Sequence, residues 1–149
     1  MTIYFYGARE EPYGCFSNFS AHGFMLDDLY WPTSEHYFQA QKFVGTPHIE
    51  AIRLAKSPTI AARMGRSRQR PLRTDWETVK EEVMRRAVLS KFKTHEAIRA
   101  VLLGTGSDEI IENAPSDYYW GCGKTGTGQN RLGVILMEVR EVLQPRKQI

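Results

Sequence analysis

Glu35, Gln39 and Lys42 stand four and seven residues apart in the segment Trp31-Pro32-Thr33-Ser34-Glu35-His36-Tyr37-Phe38-Gln39-Ala40-Gln41-Lys42. On a helix they project from one face. A carboxylate, an amide and an ammonium placed together can steady a developing cation, orient a polar substrate and face an anion. Taken alone, the same pattern also describes an exposed helix face laced by weak pairs. A second group follows far along the chain. Asp117 precedes Tyr118-Tyr119-Trp120, and four glycines fall within the eight residues from Gly121 to Gly128, ahead of Asn130. Glycine lets backbone approach a ligand closely or take positive φ.

Other chemistries lack their residues. Gly121-Cys122-Gly123-Lys124-Thr125-Gly126 matches G-x-G-x-x-G, but no buried strand leads into it and no helix opens within it. Gly123-Lys124-Thr125 resembles the end of a P-loop, yet Tyr118 stands where its first glycine belongs. His22, His36, His48 and His95 lack metal-ligand spacing, and Cys15 and Cys122 are isolated. There is no G-x-S-x-G elbow. The carboxylates of Glu35 and Asp117 remain, with tryptophans, amides and glycine backbone. That set suits cleavage of a glycosidic bond, in which a carboxylate stabilises an oxocarbenium-like centre or activates water.

The positioning elements can be read in turn. Pro32 disfavours helix at Trp31, and Thr33 is the cap, so Glu35 falls in the first turn, where the helix dipole favours its ionised form. Thr74-Asp75-Trp76-Glu77 reads as a capping box with Thr74 as cap, opening a helix to about Phe92. Trp76 stands at its mouth, as a stacking surface for a planar ligand or, as its spacing favours, a lid on the core. Phe16 and Phe19 anchor a loop that holds Ser17 and Asn18 for hydrogen bonding, although a simple turn is the commoner use of these residues. Ile3–Tyr6 reads as a strand, and Phe24–Trp31 as a hairpin turning at Asp27-Asp28. A helix is predicted over 47–55, and another from Ser57-Pro58 that Gly65 closes. Arg63, Arg66, Arg68, Arg70 and Arg73 follow; they could grip phosphate, though a solvated basic loop is the more frequent meaning of such a run. Further helix is predicted from Lys91 to Leu103, and a short strand over 109–113. A last helix runs from Asn130, its cap, to about Leu143, with Gly133 marking close packing.

The 149 residues suit one domain, 1–149, of α+β class, mainly helical, with short strands near both ends. With 42% hydrophobic and 25% charged residues, a core can form without staples. A net charge of +3 is too small to mark a nucleic-acid protein and is compatible with phosphate-bearing small molecules. No secretory signal or membrane span is read, which points to the cytoplasm and free thiols.

The sequence resembles the NADAR family, the YbiA-like N-glycosidases, along nearly its whole length. The resemblance rests on Phe16-Ser17-Asn18-Phe19, on Trp31 through Lys42, on Ala61-Ala62-Arg63-Met64-Gly65-Arg66, on Asp75-Trp76, and on Trp120-Gly121 through Gly128-Gln129-Asn130-Arg131-Leu132-Gly133. It implies a hydrolase of N-glycosidic bonds that needs no metal and no cofactor. One family activity splits phosphoribosylated pyrimidine intermediates of riboflavin biosynthesis into ribose 5-phosphate and a base. Other members resemble hydrolases that remove ADP-ribose from guanine, so nucleic acid enters as a partner only when it carries that group. Glu35, Trp76 and Asp117 match the family's important acidic and aromatic positions and are the expected catalytic residues. Asn18, Gln39, Lys42, Trp120, Gly121 and Asn130 are the expected substrate-binding residues. A non-catalytic module binding NAD or ADP-ribose is the rival of a different class.

Overall fold

The computed structural model describes residues 1–145. In chain order its elements are β1 (Thr2–Phe5), a 3-10 turn (Tyr13–Phe16), β2 (Phe24–Leu26), β3 (Leu29–Trp31), α1 (Ser34–Gln41), α2 (His48–Arg53), α3 (Pro58–Arg66), α4 (Trp76–Thr94), α5 (Glu96–Gly104), β4 (Glu109–Glu112) and α6 (Arg131–Leu143). The class is α+β and mainly helical, with the expected N-terminal strand and hairpin and a short strand before the last helix. No described helix is long and apolar enough to cross a membrane. The described residues form two compact units, one of Met1–Ser17 with residues 92–145, the other of Asn18–Lys91.

The Asn18–Lys91 unit opens with the hairpin, β2 pairing antiparallel with β3 in the register Phe24↔Trp31. Asp27 and Asp28 both take positive φ, 54° and 64°, as a two-residue turn between twisted strands requires. The Asp27 carboxylate accepts from Tyr37 Oη at 2.8 Å and from Arg86 at 2.6 Å, tying the turn to α1 and α4. Burial first, then that bond to Asp27, pushes the Tyr37 phenol far above its ordinary pKa. Beneath the turn, Trp31 packs edge-on against Tyr37 with centroids 5.1 Å apart.

α1 starts as its sequence requires: Thr33 Oγ1 accepts from His36 N at 3.1 Å. Every residue of α1 is buried, so an exposed face laced by weak pairs is not what this helix presents. The reason is that α1 packs against α2 and α3, whose small residues Ala61, Ala62 and Gly65 admit it. Ser57 caps α3 through Ile60 N at 3.1 Å. Gly65 does not close α3; the helix runs on to Arg66, and the glycine serves the α1 contact instead. α4 begins at Trp76, with the Asp75 carbonyl accepting from Thr78 and Val79.

In the other unit β1 and β4 pair in parallel, Ile3 beside Ile110. All of the second unit lies within the crossover between these two strands. α6 covers β4 with Leu132, Ile135, Leu136 and Val139. The close packing expected at Gly133 is present: a Cβ there would lie 2.2 Å from Ile110 O. Asn130 precedes α6 but its side chain does not cap it. Its amide instead accepts from Glu112 N and donates to Ile110 O, both at 2.9 Å, pinning the loop to β4. Cys15 and Cys122 are free and buried.

His36 carries a pH dependence of stability. Its Nε2 lies 3.0 Å from Ala55 O and its Nδ1 2.8 Å from Thr33 Oγ1. A carbonyl only accepts, so Nε2 bears the proton and Nδ1 accepts from the threonine hydroxyl. Burial holds His36 below its ordinary value of 6.5, outweighing the bond to Ala55. The native state therefore binds this proton less readily than the unfolded chain does. Its contribution to stability is complete above about pH 6.5 and is lost as pH falls through the lower native value. The urea midpoint is expected to fall between about pH 7.5 and about pH 5.5, and to fall by less in His36→Gln.

Candidate functional site

The face predicted from the spacing of Glu35, Gln39 and Lys42 exists, and it is interior. The three residues are 6%, 3% and 8% exposed. Gln39 Nε2 donates to Glu35 Oε2 at 2.9 Å. That orientation suits an ionised carboxylate, which can only accept. Lys42 follows the last residue of α1, and its Nζ lies 3.5 Å from Gly65 O. It also lies 5.7 Å and 5.8 Å from the ring centroids of Phe38 and Trp76, which are packed edge to face at 5.1 Å. Two aromatic rings thus wall an ammonium, an attractive arrangement. Burial chiefly, then repulsion from Arg68, brings the Lys42 pKa down to about 8, while Glu35 pulls it back up.

Trp76 is 6% exposed. Its ring lies against Phe38 and Lys42, the lid on the core that its spacing favours. Asn18 is engaged as well. Its Oδ1 accepts from Ser34 Oγ at 2.8 Å, and its backbone carbonyl accepts from Glu35 N at 3.1 Å. It thereby holds the first turn of α1, where Glu35 sits.

Gly65 and Phe38 complete this arrangement, and Arg68 joins it by donating to Gly65 O at 3.1 Å. Arg68 belongs to the arginine run that the sequence offered as a phosphate grip, whereas neither Gly65 nor Phe38 stood out from the sequence as a functional residue. The available signal was the small-residue spacing Ala61, Ala62, Gly65 on one side of α3. A Cβ on Gly65 would lie 2.0 Å from Gln39 Oε1, so the Gln39 amide occupies the space a side chain would take. That Oε1 is buried with no hydrogen-bond partner among the described residues. Arg73 separates from the other arginines: it pairs with Asp75 at 2.5 Å and donates to Gln41 O at 3.3 Å, securing the end of α1.

Asp117, Trp120, Gly121 and Asn130 belong to the other unit. Asp117 Oδ1 accepts from Tyr119 N at 3.0 Å and Trp120 N at 2.8 Å, a side-chain turn that organises the loop. Trp120 is half-buried, edge-on to Tyr119. A Cβ on Gly121 would meet Ala114 Cβ at 2.9 Å, and one on Gly128 would meet Gly121 O at 2.5 Å. These two glycines let the loop pack on itself, whereas Gly123 and Gly126 supply positive φ. Among the described residues no three His, Cys, Asp or Glu side chains group as a metal site.

The family described as NADAR domain matches residues 4–144. The chain is 54% identical to an N-glycosidase of Nostoc punctiforme, over 97% of this chain and 94% of that protein. It is 52% identical to N-glycosidase YbiA of Escherichia coli, over 98% of this chain and 91% of that one. The NMR structure of the E. coli protein YbiA matches with a TM-score of 0.88 and 52% identity, covering 96% of this chain and 84% of that chain. A chloroplastic riboflavin biosynthesis protein of Zea mays is 44% identical over 86% of this chain, a match spanning 23% of that longer protein.

The Gly65 contact is open to test. Gly65→Ala is expected to lower stability by about 1–3 kcal/mol in urea unfolding, because the added methyl must displace the Gln39 amide. The side-chain amide resonances of Gln39 should shift in the same variant.

Proposed function

The chain belongs to the NADAR domain family and is a YbiA-like N-glycosidase, and from that premise we propose that it hydrolyses the N-glycosidic bond of phosphoribosylated pyrimidine intermediates of riboflavin biosynthesis. The products are ribose 5-phosphate and the pyrimidine base. The observation that carries the reading is the buried Glu35–Gln39–Lys42 face, a carboxylate held by an amide with an ammonium nearby. The riboflavin biosynthesis name of the Zea mays relative supports this choice of substrate.

In this reading Glu35 is the catalytic carboxylate. Gln39 fixes one of its oxygens, and the carboxylate draws a proton from water as that water adds to the anomeric carbon. The carbon–nitrogen bond breaks, and the departing nitrogen takes up a proton. The Lys42 ammonium favours the ionised form of Glu35 and faces the substrate phosphate. Asn18 holds the turn that aims Glu35, and Trp76 with Phe38 screens Lys42 from water.

A second substrate, ADP-ribosylated guanine in nucleic acid, is favoured by the arginine run from Arg63 to Arg70, which suits phosphate contacts. Product chromatography after incubation with each substrate, at low and high salt, separates the two. Binding of ADP-ribose with no base released from either would instead favour a non-catalytic module.

Glu35→Gln is expected to keep its fold by circular dichroism and lose at least about 100-fold in turnover. Near-normal rates in that variant would remove Glu35 from the chemistry. The pKa of Lys42, about 8, predicts a kcat/KM that falls as pH rises through that value and the ammonium loses its proton. Lys42→Met should be slower and lack this limb. A limb rising through the same pH would mark Lys42 as an amine nucleophile on ring-opened ribose.

A further inference from the structure

The Asn18–Lys91 unit contains eight arginines, and they divide into two kinds. Arg53, Arg73, Arg85 and Arg86 each pair with a carboxylate, on Glu50, Asp75, Glu82 and Asp27. Arg63, Arg66, Arg68 and Arg70 have no carboxylate partner among the described residues, and all four fall at the end of α3 and just beyond it. Arg70 Nε is buried without an acceptor among the described residues. Leaving such a donor unpaired is costly. An incidental solvated loop does not account for a buried guanidinium nitrogen.

This run meets the α1 face at one atom. Gly65 O accepts from Arg68 at 3.1 Å, and Lys42 Nζ lies 3.5 Å from the same oxygen. Two cations thus converge on a single uncharged acceptor. Arg68 is exposed and Lys42 is buried, so an anion from solvent reaches the guanidinium first.

We propose, resting on the N-glycosidase reading above, that Arg66 and Arg68 bind the phosphate of the substrate, and that this anion decides whether the neighbouring Lys42 holds its proton. The charged groups that act on Lys42 are Glu35 from α1, Glu77 from α4, Arg66 from α3 and Arg68 from the loop after it. Burial and the two arginines drive the proton off; the two carboxylates retain it. Phosphate on the arginines offsets their charge and leaves the carboxylates, so Lys42 regains its proton as substrate binds. A riboside without phosphate lacks this effect. The charged form of the site is then completed by phosphorylated substrates in preference to free nucleosides. By linkage, phosphate binds more tightly to the protein whose Lys42 is protonated.

The test follows the 13Cε resonance of Lys42 against pH, in inorganic phosphate and in sodium chloride of equal ionic strength. In chloride the midpoint should lie at about 8. Saturating phosphate should raise it by at least about half a pH unit. In Arg68→Gln the chloride midpoint should already be raised, and phosphate should add less than about half of the wild-type change. Arg66→Gln should act in the same sense, and Arg85→Gln should leave both midpoints in place. The proposal is overturned if phosphate moves Lys42 equally in wild type and Arg68→Gln, if chloride does the same as phosphate, or if nothing moves. Base release is scored separately. An inactive protein with the expected titration defeats the N-glycosidase reading alone, and an active one without it defeats this proposal alone.

Discussion

The close approach of α1 to α3 at Gly65 is the constraint on which the buried polar face depends. Glu35 and Lys42 are costly to bury unless their partners are in place. The Gln39 amide holds the Glu35 carboxylate, and it fits because Gly65 has no side chain. The same glycine's carbonyl takes the Lys42 and Arg68 donors. One residue without a Cβ therefore serves both ends of the face: its missing side chain makes room for the amide, and its carbonyl receives the cations.

The electrostatics follow from that geometry. An ammonium walled by Phe38 and Trp76 is cut off from the water that would stabilise it, and the nearby arginines repel it further. Its proton is held more loosely than an ordinary lysine's, which makes it responsive to any charge that arrives. His36, on the same helix, shows the opposite use of burial. Both of its nitrogens are satisfied in the neutral form, so it contributes to the fold and offers nothing to a ligand.

The glycine-rich stretch of the other unit has an equally physical reading. Asp117 spends one carboxylate oxygen on two backbone N–H groups, and Asn130 spends its amide on β4. Gly121 and Gly128 are needed where the loop folds onto itself, and Gly123 and Gly126 where the backbone takes positive φ. A sequence that looks built for a nucleotide is, by these contacts, built first to hold its own shape.

Local chemistry made most elements legible from residues alone. Thr33 and Ser57 cap their helices because each hydroxyl accepts a first-turn backbone N–H that has no partner within the helix. The hairpin at Asp27-Asp28 and the one-sided placement of Glu35, Gln39 and Lys42 follow from turn geometry and helical periodicity. Burial of that face, the engagement of Trp76 with Lys42, the passage of α3 through Gly65, and the turn of the Asn130 amide toward β4 were decided by tertiary structure. Periodicity states which side chains share a side of a helix. Which neighbour covers that side, and how near its backbone can come, depends on residues distant in the chain.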